Sequence, residues 1–187
     1  MNRNENQRES LLKLLREHAG RISDAHEAAM AAAMIAFVEA EPDCAERSLA
    51  VGHLTGSAWI VDAKLERTLL THHRKLDKWL QLGGHADGDL DLAGVAMREA
   101  EEESGLTGLR FVSTNLFDVD RHRIPARKAD PEHWHYDLRF MIEADPDEPL
   151  IISEESNDLA WVEVALMADY NAEKSMMRMA RKTLDRG

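Results

Sequence analysis

Four glutamates crowd into five consecutive positions, Glu99, Glu101, Glu102 and Glu103, preceded by Arg98 and followed by Ser104-Gly105. The apolar spacing ahead of them predicts a helix from about Asp91 to Ser104, with Gly105 as its C-terminal cap. On local grounds carboxylates are misplaced there. The helix dipole disfavours anions at a C-terminus, and like charges one turn apart repel. At about 100° per residue, Glu99, Glu102 and Glu103 share an arc of roughly 100°, and Leu92, Val95 and Ala96 occupy the same stripe earlier in the helix. An apolar stripe packs on a core, so its carboxylate end is expected at a sheet edge, beside a cleft. Glu101 projects elsewhere, toward solvent. Hard carboxylate oxygens at this spacing suit Mg²⁺ or Mn²⁺. For the helix alone, a solvated acidic end competes equally with a cation site.

The residues upstream change that balance. The stretch Gly84 to Leu106, GHADGDLDLAGVAMREAEEESGL, resembles the Nudix box. That signature is Gly, five residues, Glu, seven residues, then Arg-Glu-aliphatic-any-Glu-Glu-any-Gly-aliphatic. Gly84, Arg98, Glu99, Ala100, Glu102, Glu103, Gly105 and Leu106 fall at the required spacing. A Gly-Gly entry and a later acidic segment before Trp161 extend the likeness over residues 50–187. One position departs: Leu90 stands where the signature has its first glutamate, which puts metal affinity in question. Asp89 or Asp91 is expected to supply a carboxylate nearby.

The resemblance implies an α/β/α sandwich on a mixed β-sheet. It implies that Glu99, Glu102 and Glu103 bind metal and provide the base, that Arg98 orients a glutamate by hydrogen bonding, and that the Gly84 carbonyl is a backbone metal ligand. Glu155, or its neighbour Glu154, matches a further catalytic glutamate that such proteins place before the last strand; Glu155 is favoured. The implied reaction is metal-dependent cleavage of a diphosphate bond in a nucleotide-like small molecule: ADP-ribose, a nucleotide sugar or a nucleoside triphosphate. Divalent cations neutralise phosphate oxygens and acidify a bound water for in-line attack, and a carboxylate takes the proton. A catalytically weakened nucleotide sensor on the same fold is the alternative that Leu90 keeps open. Isopentenyl diphosphate isomerase, a related fold, needs a cysteine at the cleft, and Cys44 lies before the domain.

Other polar residues are open between two readings. His133, His135, Asp137 and Arg139 alternate with Trp134, Tyr136, Leu138 and Phe140, one polar and one apolar face of a strand. The polar face is either the substrate wall, with His133, His135 and Arg139 meeting phosphates, or an ordinary wet sheet face. A second metal site with His122 is a remote third reading, and Asp118, Asp120 and His122 alternate in the same way. His72 and Arg74, near the Gly-Gly entry, are candidate phosphate contacts or a solvated turn. Asp87-Gly88-Asp89 opens like an EF-hand loop, but Leu92 replaces the required glycine and Arg98 the closing glutamate.

The elements expected around these residues are mixed. Two helices, over residues 5–18 and from a cap at Ser23 or Asp24 to about Ala40, precede the strands and form an N-terminal helical extension, residues 1–48. They either pack on the domain body or build a homodimer. Strands are expected at 57–61, 67–71, 79–82, 111–120, 133–144 and 159–164, with a helical tail; residues 49–187 form the catalytic domain. Strands and helices without strict alternation suggest an α/β fold with a mixed sheet and helices on its faces.

The 187 residues carry a formal charge of −12, which disfavours general nucleic-acid binding but tolerates a small phosphorylated ligand carried by a cation. One cysteine excludes an intrachain disulfide and favours a reducing compartment. The longest apolar run, from Ala28 to Val38, is too short to cross a bilayer, and the first residues lack a signal-peptide core. A cytoplasmic protein without membrane attachment is expected.

Overall fold

The computed structural model describes residues 3–126 and 131–186. Part of the loop between Pro125 and Pro131 therefore lies outside the described residues. Two helices come first, α1 (Arg3–Ala19) and α2 (Ala25–Ala40). Asp24 caps α2, its side chain accepting from the Glu27 amide. The strands follow: β1 (Gly52–Val61), β2 (Arg67–His73), β3 (Lys78–Leu80) and β4 (Leu82–His85). After α3 (Leu92–Ser104) come β5 (Arg110–Phe111), β6 (Asp118–Ile124), β7 (His133–Glu143) and β8 (Ser156–Glu163). A 3₁₀ turn at Val164–Leu166 leads into α4 (Met167–Tyr170) and α5 (Lys174–Leu184).

The sheet is mixed, as expected. β1 runs parallel to β7 over its whole length, from Gly52 opposite Trp134 to Val61 opposite Glu143, and every residue of β1 is buried. The remaining pairings are antiparallel: β4 and β2 on the other side of β1, β6 and β5 on the far side of β7, β3 and β8 on β2. Because side chains alternate, β1 and β7 each build two layers. On one face Leu54, Tyr136, Leu138 and Phe140 join Leu11 and Leu15 of α1, Met34, Phe37 and Val38 of α2, and Val95 of α3 in a single core. Phe37 stacks on Tyr136 with ring centroids 3.9 Å apart. On the other face Trp59, Val61 and Met141 pack with Met176, Met179 and Ala180 of α5. Helices thus cover both faces, and the apolar side of the N-terminal helices is buried in the chain's own core.

Two expected strands are divided. The run at 79–82 changes partner at Gln81, with β3 pairing β2 and β4 pairing β1. The run at 111–120 breaks where the Ser113 side chain accepts from the Asn115 amide, 3.1 Å, a local turn that competes with the ladder. The chain then rejoins β7 as β6, which extends past Asp120 to Ile124.

Candidate active site

α3 begins at Asp91, whose side chain accepts from the Gly94 amide at 3.2 Å, while Asp89 accepts from the Asp91 amide at 2.9 Å. Both carboxylates are thus used in the entry turn. Neither lines the cleft that follows, and the acidic residue of this segment that does is Asp87. Leu90, at the departed position, is 8% exposed and belongs to the core that α1 and α2 share with the sheet. The helix closes at Gly105, in the left-handed region at φ 73°.

The buried stripe of α3, Leu92, Val95, Ala96 and Ala100, seats the helix on the sheet, and its last turn carries the carboxylates to the edge of a cleft of about 850 Å³. Glu99, Glu102, Glu103, Gly84 and Glu155 all line it. Glu103 is 8% exposed and accepts from the Gly83 amide at 3.2 Å. Burial pushes its carboxyl up to about 8; the Gly83 amide opposes the rise, while the charges of Glu99 and Glu155 add to it. Glu99 is raised too, first by burial and then by Glu102. Gly84 leaves room for the Glu99 carboxyl, which a Cβ there would push aside. Arg98 is exposed and reaches Glu99 only at 4.0 Å, a Coulombic contact and not the expected hydrogen bond, because its side chain leaves the helix on the solvent side.

These residues fit a hard divalent cation. Three carboxylates of α3 line one cleft, burial makes Glu99 and Glu103 resist ionisation, and a glycine leaves room for Glu99 against β4. Glu99, Glu102, Glu103 and Gly84 all line the cleft where such an ion could be held.

The opposite wall comes from β1, β6 and β7. Asp137 is 1% exposed and accepts from Thr55 and Ser57 hydroxyls at 2.9 and 2.7 Å, from Gln81 at 3.2 Å and from Arg139 at 2.7 Å. Arg139 is 2% exposed; its guanidinium also meets Asp118 at 3.2 Å and Asp120 at 3.6 Å. Burial opposes that charge, but the three aspartates hold it more firmly protonated than an ordinary arginine. Arg139 thus lines the cleft with its donors committed to carboxylates, and at Asp137 and Arg139 the polar face of β7 is a buried ion network.

His135 also lines the cleft, together with His85 and His122. His72, Arg74 and His133 are not among the lining residues. His72 faces Asp77 at 3.2 Å and lies against Trp79, and Arg74 donates to the Ser156 carbonyl at 3.1 Å and to Asn157 at 3.3 Å. Strand alternation on β2 turns their neighbour His73 to the cleft instead. His133 stands behind His135 and His53, its ring centroid 5.2 and 5.0 Å from theirs. Thr55, Ser57, Gln81, His53 and His85 escaped the sequence reading. The only signal for His85 was its place beside Gly84 in the box, and nothing local distinguishes His53 in a wholly buried strand.

A comparison with curated proteins returned no match. The described fold is similar to solved structures: dihydroneopterin triphosphate pyrophosphohydrolase of E. coli, 16% identical, TM-score 0.57, covering 72% of this chain and 96% of that one; an Ap4A hydrolase of C. elegans in a binary complex, 16% identical, TM-score 0.53, covering 71% and 96%; and a NUDIX-family hydrolase of Clostridium perfringens, 21% identical, TM-score 0.51, covering 72% and 98%. At these identities the likeness shows the fold. The family model described as NUDIX domain matches residues 53–183, most of the chain, and with the box on α3 in place the chain belongs to the NUDIX family.

Proposed function

We propose that the cleft hydrolyses a diphosphate linkage in a nucleotide-like substrate, with Mg²⁺ or Mn²⁺ held by Glu99, Glu102, Glu103 and the Gly84 carbonyl. Membership of the NUDIX family makes the chain a hydrolase of acid anhydrides in class. The observation that carries the finer reading is the carboxylate group itself: Glu103, buried and raised to about 8, beside Glu99, Glu102 and Glu155 in one cleft. A bound divalent ion supplies charge neutralisation for the phosphate oxygens and a more acidic water.

The chain's own residues do the rest. Gly83 holds Glu103 in place through its amide. Glu155, exposed on the loop before β8 and lining the cleft, is our candidate to accept a proton from an attacking water. Its loop is tied to β2, since the Arg74 amide donates to the Glu155 carbonyl at 2.9 Å. Solved structures of similar fold are named for dinucleoside polyphosphate and pterin triphosphate substrates, so the panel for this chain spans several leaving groups.

The test is hydrolysis of ADP-ribose, nucleotide sugars, dinucleoside polyphosphates and nucleoside triphosphates, with and without Mg²⁺ or Mn²⁺. Metal-dependent turnover of one group, lost in Glu102→Gln, supports the reading. Tight binding without turnover of any would instead make the chain a nucleotide sensor, with Leu90 as the cause.

A further inference from the structure

In the same cleft the sheet gathers histidines. His135 of β7 lies opposite His53 of β1 on one side and opposite His122 of β6 on the other. His85 of β4 follows on the diagonal, since it pairs with Thr55, two residues beyond His53 on the same face. Ring centroids stand 4.7 Å apart for His53 and His135, 5.1 Å for His53 and His85, and 5.1 Å for His85 and His135. One ring nitrogen from each of these three comes within 4.8 Å of the other two.

From this arrangement we propose that His53, His85 and His135 form a second metal site, distinct in chemistry from the glutamate site, that takes a borderline divalent cation such as Zn²⁺ or Co²⁺.

Three observations support it. His53 is 2% exposed, and neither of its ring nitrogens has a hydrogen-bond partner among the described residues. A buried imidazole left without partners is a costly arrangement that a metal bond relieves. Next, His133 stands against the group. Its Nδ1 donates to the Pro131 carbonyl at 2.9 Å, a carbonyl being only an acceptor. Its Nε2 shares a hydrogen bond with Nε2 of His135 at 3.3 Å. Two nitrogens on one tetrahedral zinc, at 2.0–2.1 Å each, are separated by about 3.4 Å, so this pair already stands at the spacing of two imidazoles on one ion. The third observation is access. His85 and His135 line the cleft, so the site has an entry path and an open side facing it.

Imidazole nitrogen selects against Mg²⁺, which takes oxygen, and favours the later first-row metals. Neutral ligands leave the ion's double charge intact. An ion there would draw an anionic oxygen, from a phosphate or a hydroxide, to the histidine wall of the cleft. The site stands on the histidines alone and does not depend on the hydrolase reading.

The experiment is titration of the chelator-stripped full chain with Co²⁺ in excess Mg²⁺, followed by visible absorption. The expected result is a single retained equivalent with the intense bands of a low-coordinate nitrogen site, lost in His85→Asn and in His135→Asn. Both side chains are only partly buried, and circular dichroism checks that each variant folds; either folded variant suffices. Glu102→Gln should keep the signal. Co²⁺ displaced by Mg²⁺ overturns the proposal, as does Co²⁺ retained in the histidine variants but lost in Glu102→Gln.

Discussion

Arg178 of α5 grips Asp118 of β6 with both arms of its guanidinium, Nε to Oδ2 at 2.8 Å and Nη2 to Oδ1 at 2.7 Å, across 60 residues of sequence. Asp118 is wholly buried and also accepts from Arg139 and from Lys182 at 3.2 and 2.9 Å. Lys182 reaches on to Glu27 of α2, itself bound to His18 of α1. One carboxylate therefore joins the C-terminal helix to the sheet wall of the cleft, and through Lys182 to the N-terminal helices.

Removing that carboxylate takes the shared partner from three cations, leaving Arg139 to Asp137 and Asp120, Arg178 to Asp120 and Glu27, and Lys182 to Glu27. Asp118→Ala is expected to destabilise the fold by about 3–5 kcal/mol, as for a broken buried pair. Burial opposes ionisation of Asp118, but Arg178, Arg139 and Lys182 outweigh it and hold its carboxyl below the ordinary 3.8. A folded value below the unfolded one contributes stability above pH 3.8, lost as the pH falls through the folded value. The gap between wild type and variant, read by urea unfolding, should be full at neutral pH and shrink below pH 3.8.

Glu102 lies at the rim of the fold as well as in the cleft, so its chemistry separates from its packing. Glu102 is exposed, and Glu102→Gln should leave the circular dichroism spectrum and unfolding midpoint unchanged. Turnover of whichever panel substrate is cleaved should fall by about 10²-fold or more. Full activity in the folded variant would remove Glu102 from the site.

Gly84→Ala tests the contact between β4 and α3. Its Cβ would press on the Glu99 carboxyl and displace it from the cleft. The expected signature is a higher Mg²⁺ or Mn²⁺ concentration for half-maximal turnover, well before any loss of the folded spectrum. An unchanged metal dependence would mean that Glu99 is not held against Gly84 in solution.

Leu90→Glu would restore the residue of the family signature, yet here it is expected to harm. The side chain enters an apolar cluster with Leu11, Leu15, Met34 and Phe37, and an unpaired carboxylate there costs on the order of several kcal/mol. Leu90→Met, close in volume, should cost less than about 1.5 kcal/mol. Thermal unfolding of the two variants side by side decides it: a glutamate variant as stable as wild type would show that position 90 can turn to the cleft.

Periodicity made much of this protein readable in one dimension. The α3 stripe, its glutamates and the Gly105 cap follow from residues within one helix, where neighbours three and four apart must share a face. The two faces of β7 follow from strict alternation. Tertiary structure decided what each face meets. Asp137 and Arg139 became a buried network because Thr55, Ser57 and Gln81, more than 50 residues away, were brought against them. The histidines converge only because β1, β4 and β7 pair in one register, and a slip by one residue would turn His53 or His135 to the opposite face. Leu90 reads as a defect in the signature until α1 and α2 are seen to pack into the same core. Local sequence carries the period of a side chain along its own element; its partners are set by contacts between distant elements, which no single stretch of the chain contains.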